Sequence, residues 1–310
     1  MLSDFPLSPH KRPSHYIMAK VERELDRYFS GRSRRRTICS RYLLLDEIGS
    51  GACGTVALAA DLETHVPLAL KMRADTKDNR KFGSEPFRIE IEAMKHFSHA
   101  GVCKFIDSGT VDRVPFFAME FVSGPNLHQF FLDGYRNLRL SLSFASDLCL
   151  ALEHVHSFGI AHRDVKPKNV MVDMSLDRPR VVLIDFGLAK ISGRVDPFLN
   201  FDETFGNPLY QPPRSELVSV YCDHRADIYS TGMLLYDSII SHGRLSKVIA
   251  AAKLATLSFS DSMLMHDVKI GLVPERLASI IRCATASNPN ARFQSAKAMQ
   301  DAIEDALRDM

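Results

Sequence analysis

Apolar residues recur at two spacings along this chain, and the change from one to the other divides it. Between Ser14 and Tyr28, Ile17, Val21, Leu25 and Tyr28 fall three or four residues apart, which predicts a helix that Gly31 could stop. Residues 42–48 and 54–60 read as two strands around a glycine turn, and Pro67 to Met72 as a third, carrying Lys71. Helical spacing returns at 85–98 with Phe87, Ile91, Met94 and Phe97. Two further strands are expected near 102–107 and 114–121. After Ser123-Gly124-Pro125 the pattern turns mostly helical: Leu142 to His156 is apolar enough for a buried helix, and 225–241, 274–285 and 294–308 follow it. Short strands fit Val170–Val172 and Val181–Ile184. The order is a small β-rich part with one helix, then a larger helical part.

Composition changes this picture little. The 310 residues are 45% hydrophobic and 25% charged, enough for a sizeable core. A net charge of +2 argues against bulk attraction to nucleic acid. The charge is uneven, however: residues 1–41 carry ten Lys or Arg against four Asp or Glu. This basic extension is expected to lack order over its proline-rich first 13 residues. Its run Arg32-Ser33-Arg34-Arg35-Arg36 reads either as a solvated linker or as a docking patch for nucleic acid, a membrane or an acidic partner. The six cysteines are scattered without metal spacing, as expected of reduced thiols in a cytoplasm. No apolar run approaches a membrane span, and the start lacks the apolar stretch of a signal peptide.

The chemistry is concentrated in His162-Arg163-Asp164-Val165-Lys166-Pro167-Lys168-Asn169 and Asp185-Phe186-Gly187. Asp164 can accept the proton of an attacking hydroxyl, and Lys166 can hold a transferring phosphoryl group. Asn169 and Asp185 are hard oxygen ligands suited to Mg²⁺. His162 and Phe186 are large enough to pack beneath them. Upstream, Gly49-Ser50-Gly51-Ala52-Cys53-Gly54-Thr55-Val56 lies between two strands. That position argues against a dinucleotide fold and suits a hairpin whose N–H groups close over phosphates; a plain hairpin turn is the alternative. Lys71, on an apolar strand, needs a counter-charge. Glu90 is the preferred partner, with Glu85 and Glu92 as competitors. Cys53, at the loop tip, reads as an inert thiol or an oxidisable gate.

Together these residues resemble the eukaryotic-like Ser/Thr protein kinase family over about residues 42–308. The resemblance implies an α+β, bilobal fold with an N-lobe at 42–121 and a C-lobe at 122–310. It also implies use of ATP and Mg²⁺ and transfer of the γ-phosphate to Ser or Thr of protein substrates, with autophosphorylation. By that likeness Lys71, Glu90, Asp164 and Lys166 are catalytic, and Asn169 and Asp185 hold the metal. Ile48, Gly49, Ser50, Gly51, Ala52, Cys53, Gly54, Val56, Ala69, Lys71, Met119, Glu120 and Val122 line the nucleotide site, with Met119 as gatekeeper and Glu120–Val122 as hinge. Met94, Phe105, His162 and Phe186 correspond to the regulatory spine. Asp227 and Arg292 match the αF aspartate and a late arginine of the family.

Departures lie in Gly206-Asn207-Pro208-Leu209-Tyr210-Gln211-Pro212-Pro213-Arg214. Asn207 replaces a threonine that bridges the catalytic Asp and Lys, and its amide could make similar bonds. Arg214 replaces the glutamate expected to pair with Arg292; two cations about 4 Å apart would repel by roughly 4 kcal/mol, so Glu216 or another acid is expected to neutralise Arg292. Arg163 is expected to meet a negative charge from Glu203 or from phosphorylated Thr204. Lys168 argues against a basophilic substrate preference, which weakens Thr37 as a phosphosite. The rival functions are a scaffold without turnover and a small-molecule phosphotransferase.

Overall fold

A computed structural model describes residues 13–51, 54–73, 84–135, 137–175, 178–196, 207–213, 216, 222–240 and 261–310. Ala52, Cys53, Glu203, Thr204, Gly206 and Arg214, on which several of the expectations above rest, lie outside these residues. The described elements are α1 (Pro13–Phe29), β1 (Thr37–Ile38), β2 (Tyr42–Gly51), β3 (Gly54–Asp61), β4 (Pro67–Met72), α2 (Glu85–Met94), β5 (Phe105–Val111) and β6 (Val114–Glu120). After these come α3 (Leu127–Leu132), α4 (Leu138–Ser157), β7 (Ile160–Ala161), β8 (Val170–Asp173), β9 (Arg180–Leu183), β10 (Lys190–Ile191), α5 (Arg225–Ile239), α6 (Asp261–Lys269), α7 (Glu275–Ala284) and α8 (Ala296–Arg308). The chain forms two compact units.

The first unit comprises Met1–Ser98, Cys103–Gly124 and Val172–Arg180. Its six-stranded antiparallel sheet has the order β1-β2-β3-β4-β6-β5. Strand alternation gives it two apolar faces. On one, Ile38, Tyr42, Ala59, Leu68, Leu70, Phe116 and Ala118 pack together. On the other, Val21 and Leu25 of α1 pack on Leu43, Leu45, Leu58 and Ala60. Residues 13–41, expected as an extension outside the lobe, are therefore part of its sheet and core. Arg35 and Arg36 are engaged here too, with Glu24 and Asp112.

The second unit comprises His99–Val102, Pro125–Met171 and Val181–Met310. Its axis is α4, whose Asn137 caps the N-terminus by accepting from Arg139 and Leu140 N–H. Leu142, Ala145, Leu148, Leu152 and Val155 bury one stripe of it. This cap starts the helix four residues before the first predicted apolar position. α8 begins where the Ser295 side chain accepts from Ala298 N–H, and it packs on α4. α5 is buried nearly all round. At Gly232 an added Cβ would lie 2.6 Å from the Ala284 Cβ, so α5 and α7 meet through a position without a side chain. No described helix is long and apolar enough to cross a membrane.

Two boundaries differ from expectation for local reasons. α2 ends at Met94 rather than 98, because His96 and Phe97 donate to carbonyls three residues back, tightening the chain out of α-geometry. Val102 does not begin β5; it forms an isolated parallel bridge with Leu183.

Candidate active site

In the sheet unit, strand register brings the expected nucleotide residues onto neighbouring positions. Gly49 pairs with Val56, Ser50 with Thr55 and Gly51 with Gly54. Gly54 has φ +150°, and a Cβ there would lie 2.3 Å from the Met72 carbonyl oxygen, so the turn admits only glycine at that position. Lys71 pairs with Val56 on one side and Phe117 on the other, and Ala69 with Met119. Ile48 is exposed and Val122 buried. Glu120 Oε2 accepts from Lys104 N–H at 3.3 Å.

Lys71 Nζ donates to both oxygens of Glu90, at 2.7 and 2.9 Å. Both side chains are buried, so each compensates the charge of the other. Helix α2 delivers Glu90 because Phe87, Ile89, Ala93 and Met94 bury the same side of it. Of the three candidate glutamates, Glu90 is thus the partner. The Lys71 ammonium also lies 5.9 Å from the Phe117 ring centre.

In the helical unit, Asp164 is buried and its Oδ2 accepts from Lys166 Nζ at 2.6 Å and from Asn169 Nδ2 at 2.9 Å. Burial raises the Asp164 pKa above the ordinary carboxylate value; the Lys166 charge opposes this, and Asp185 adds to it. Asn169 Nδ2 also donates to the Asp164 carbonyl at 2.9 Å. With both amide protons directed to Asp164, the Asn169 Oδ1 is the atom left to meet a cation. An amide oxygen here and a carboxylate at Asp185 form the small hard-oxygen set that Mg²⁺ takes alongside phosphate oxygens. The residues therefore fit that ion.

The loop is held in place from Asp227, which is fully buried in the first turn of α5. Its Oδ2 accepts from His162 N–H at 2.8 Å and contacts His156 Nε2 at 2.9 Å, while Oδ1 accepts from Arg163 N–H at 2.7 Å. Burial by itself would raise the Asp227 pKa, but the hydrogen bonds from the His156 side chain and the His162 N–H help to hold the group below the ordinary range. These bonds hold Arg163 at φ +62°, a region costly for a side-chain-bearing residue. His162 Nδ1 accepts from Asp164 N–H at 3.2 Å, so Nε2 carries the proton and donates to the Ile184 carbonyl at 3.1 Å. Ile184 N–H in turn donates to Asn169. The His162 and Phe186 rings meet edge to face, 4.7 Å apart. His162 and Asn169 thus tie the catalytic loop to the strand end from which Asp185 projects. Of the four expected spine residues, these two stand together; Met94 and Phe105 belong to the sheet unit.

The segment after Asp185 supplies Arg163 with a carboxylate. Arg163 pairs with Asp196, through Nη1 to Oδ2 and Nη2 to Oδ1, the latter at 3.0 Å, and its Nε donates to the Leu188 carbonyl at 2.8 Å. Asp196 belongs to no motif; Glu203 and Thr204, the carboxylate and phosphosite expected at Arg163, lie outside the described residues. One expectation fails: the Asn207 Oδ1 accepts from Leu209 N–H at 3.1 Å, forming a local turn, and among the described residues it does not bridge Asp164 and Lys166. Another holds. Arg292 donates from Nη1 and Nη2 to the two oxygens of Glu216 at 2.8 and 2.6 Å, and its fork also reaches the carbonyls of Arg225 and Ala286.

The model of the protein kinase domain family matches residues 42–303. Serine/threonine-protein kinase PknL of Mycobacterium tuberculosis is 28% identical over 270 residues, covering 86% of this chain and 65% of that protein. PknB of Mycolicibacterium smegmatis is 30% identical over 277 residues, covering 85% of this chain and 42% of that protein. A probable serine/threonine-protein kinase of Clostridium perfringens is 27% identical over 275 residues, covering 87% and 39%. The chain therefore spans less than two thirds of the length of these relatives.

Proposed function

The chain belongs to the protein kinase family, and we propose that it is an ATP-dependent serine/threonine protein kinase, active in the cytoplasm and able to phosphorylate itself. The observation that carries this reading is Asp164: a buried carboxylate with Lys166 and Asn169 fixed on one of its oxygens. A base needs such a fixed direction toward the proton it takes.

In this reading Lys71, held by Glu90, positions the α- and β-phosphates of ATP, and the N–H groups of Gly49–Val56 cover them. Met119, Glu120 and Val122 take the adenine, with Ala69 and Ile48 against its faces. Asp164 orients the substrate hydroxyl and receives its proton as the oxygen attacks the γ-phosphorus. Lys166 neutralises charge on the transferring group. Mg²⁺, held by Asn169 and Asp185, would supply charge neutralisation on the phosphates. Little covalent work falls to the protein; positioning and preorganised charge lower the barrier.

Lys166 and Pro167 beside Asp164 favour a protein hydroxyl over a small-molecule acceptor, as does the ordered turn Asn207–Tyr210, whose Tyr210 hydroxyl donates to Asp237 at 2.8 Å. The test is incubation with γ-labelled ATP and Mg²⁺, followed by phosphoamino-acid analysis, beside aminoglycoside acceptors. Label on serine or threonine of protein is expected. Label only on the small acceptors would replace this reading.

A further inference from the structure

Residues 13–41 precede the segment matched by the kinase family, yet they are built into the sheet unit. Val21 and Leu25 of α1, with Ile17 and Tyr28, pack on Leu43, Leu45, Leu58 and Ala60 and against Phe121. This is the face of the sheet that bears Lys71. Leu58 pairs with Ala69, and Ala69 and Lys71, two residues apart on β4, point the same way. Met119 also pairs with Ala69, and Phe121 follows it by two. The helix thus lies on the nucleotide-binding face, against the residue between Glu120 and Val122.

Polar contacts from this segment converge on one place in β2. Leu44 pairs with Ala59 and Asp46 with Leu58, so Leu45 is the extra residue of a β-bulge. Arg35 fastens it: Nη1 donates to the Leu45 carbonyl while Nε donates to Glu24 Oε2 at 2.8 Å. Next to it, Asp46 pairs with Lys20 of α1. Glu24 is 4% exposed, and a carboxylate so placed requires its cations, Arg35 and, on Oε1 at 3.3 Å, the exposed Arg27. Ile48 is a second extra residue, between the Glu47–Ala57 and Gly49–Val56 pairs, and the glycine turn begins at once after it. A bulge leaves strand direction adjustable, because it interrupts the ladder. Here the chain Glu24–Arg35–Leu45 fixes that direction four residues before Gly49.

We infer that α1 and Arg35 form a clamp that aims the glycine-rich turn, so that Glu24 and Arg35 are positioning residues for nucleotide binding. The inference rests on the reading that this lobe binds ATP. Burial of α1 alone would stabilise the fold; the clamp adds a dependence of nucleotide affinity on two residues that do not touch the nucleotide.

The test uses the full chain with a fluorescent ATP analogue and Mg²⁺, together with steady-state kinetics on a protein acceptor. Arg35→Gln and Glu24→Gln are expected to raise the analogue Kd and the KM for ATP about five- to tenfold, with kcat and the acceptor KM changed less than about twofold. Arg35→Lys retains charge beside Glu24 and supplies a folded variant should Arg35→Gln not fold. It should show the same split, because an ammonium lacks the fork that reaches Glu24 and Leu45 together. Arg36→Gln, whose partner Asp112 is exposed, should leave both constants unchanged. An Arg35 variant with a lowered Tm but unchanged Kd and KM for ATP would reduce the clamp to a structural contact and overturn the inference alone. Failure of the wild-type chain to bind the analogue would overturn the ATP reading and the inference with it.

Discussion

Asp196 and Arg163 are joined by a two-pronged ion pair in which both side chains are about 95% buried. Arg163 directly precedes Asp164, and Asp196 lies eleven residues after Asp185. The pair therefore fastens the segment that follows Asp185-Phe186-Gly187 to the catalytic loop. Asp196 thus gives the guanidinium a fixed carboxylate from within that segment. Asp196→Asn should lower stability by about 3 kcal/mol, because it withdraws charge from a buried arginine. It should also lower kcat more than the KM for ATP. Chemical denaturation and kinetics check both, and an unchanged kcat would detach Asp196 from the site.

Glu216→Ala should cost about 3 kcal/mol as well, since Arg292 is buried and loses two charge-assisted bonds. Glu216→Gln keeps one acceptor and should cost less. A melting temperature unaltered by Glu216→Ala would mean that the Arg225, Ala286 and Ser287 carbonyls suffice for Arg292.

Asp227→Asn should loosen the backbone at His162 and Arg163. An amide presents one acceptor oxygen where the carboxylate presents two, so one of the two N–H bonds is lost. A cost of about 2 kcal/mol in stability is expected, with a fall in kcat. Amide hydrogen exchange at 162–164 would rise in this variant; unchanged exchange would show that the loop holds its shape without Asp227.

The Glu24–Arg35 pair predicts a pH dependence. The side-chain bond from Arg35, and then its charge, lower the Glu24 pKa in the folded chain below the ordinary 4.5, against the opposing effect of burial. A carboxyl with a depressed folded pKa stabilises the fold at pH above its unfolded value. That contribution is lost as pH falls through the folded value. Stability should therefore fall on acidification below about pH 4.5, and Glu24→Gln should make the fall shallower. Denaturation midpoints between pH 3 and 6 measure it; identical slopes in the two proteins would remove Glu24 from the account.

Much of this was legible in the sequence because it depends on local order. The turn at Gly54 admits only glycine, the catalytic loop is eight consecutive residues, and Lys71 in an apolar strand demands a carboxylate from the next helix. Glu216 was reachable by charge balance once Arg214 and Arg292 stood out. Asp196 was not, because its role depends on where the chain after Gly187 returns in space. Asn207 misled through chemistry: an amide can bridge two side chains, but two residues before a free N–H it closes its own turn. The clamp at Leu45 was equally hidden. Arg35 looks like one of a run of surface cations, and only the bulge gives it a carbonyl to hold.

The central claim is that Asp164 serves as the base of a phosphoryl transfer to protein hydroxyls. The most direct measurement is the rate of γ-phosphate transfer from ATP to protein serine or threonine by the wild-type chain and by Asp164→Asn, each shown to be folded and to bind nucleotide. The account predicts transfer by the wild type and a loss of about a thousandfold in the variant with nucleotide affinity retained. Transfer by Asp164→Asn at the wild-type rate, or none by a wild-type chain that binds ATP and Mg²⁺, would contradict it.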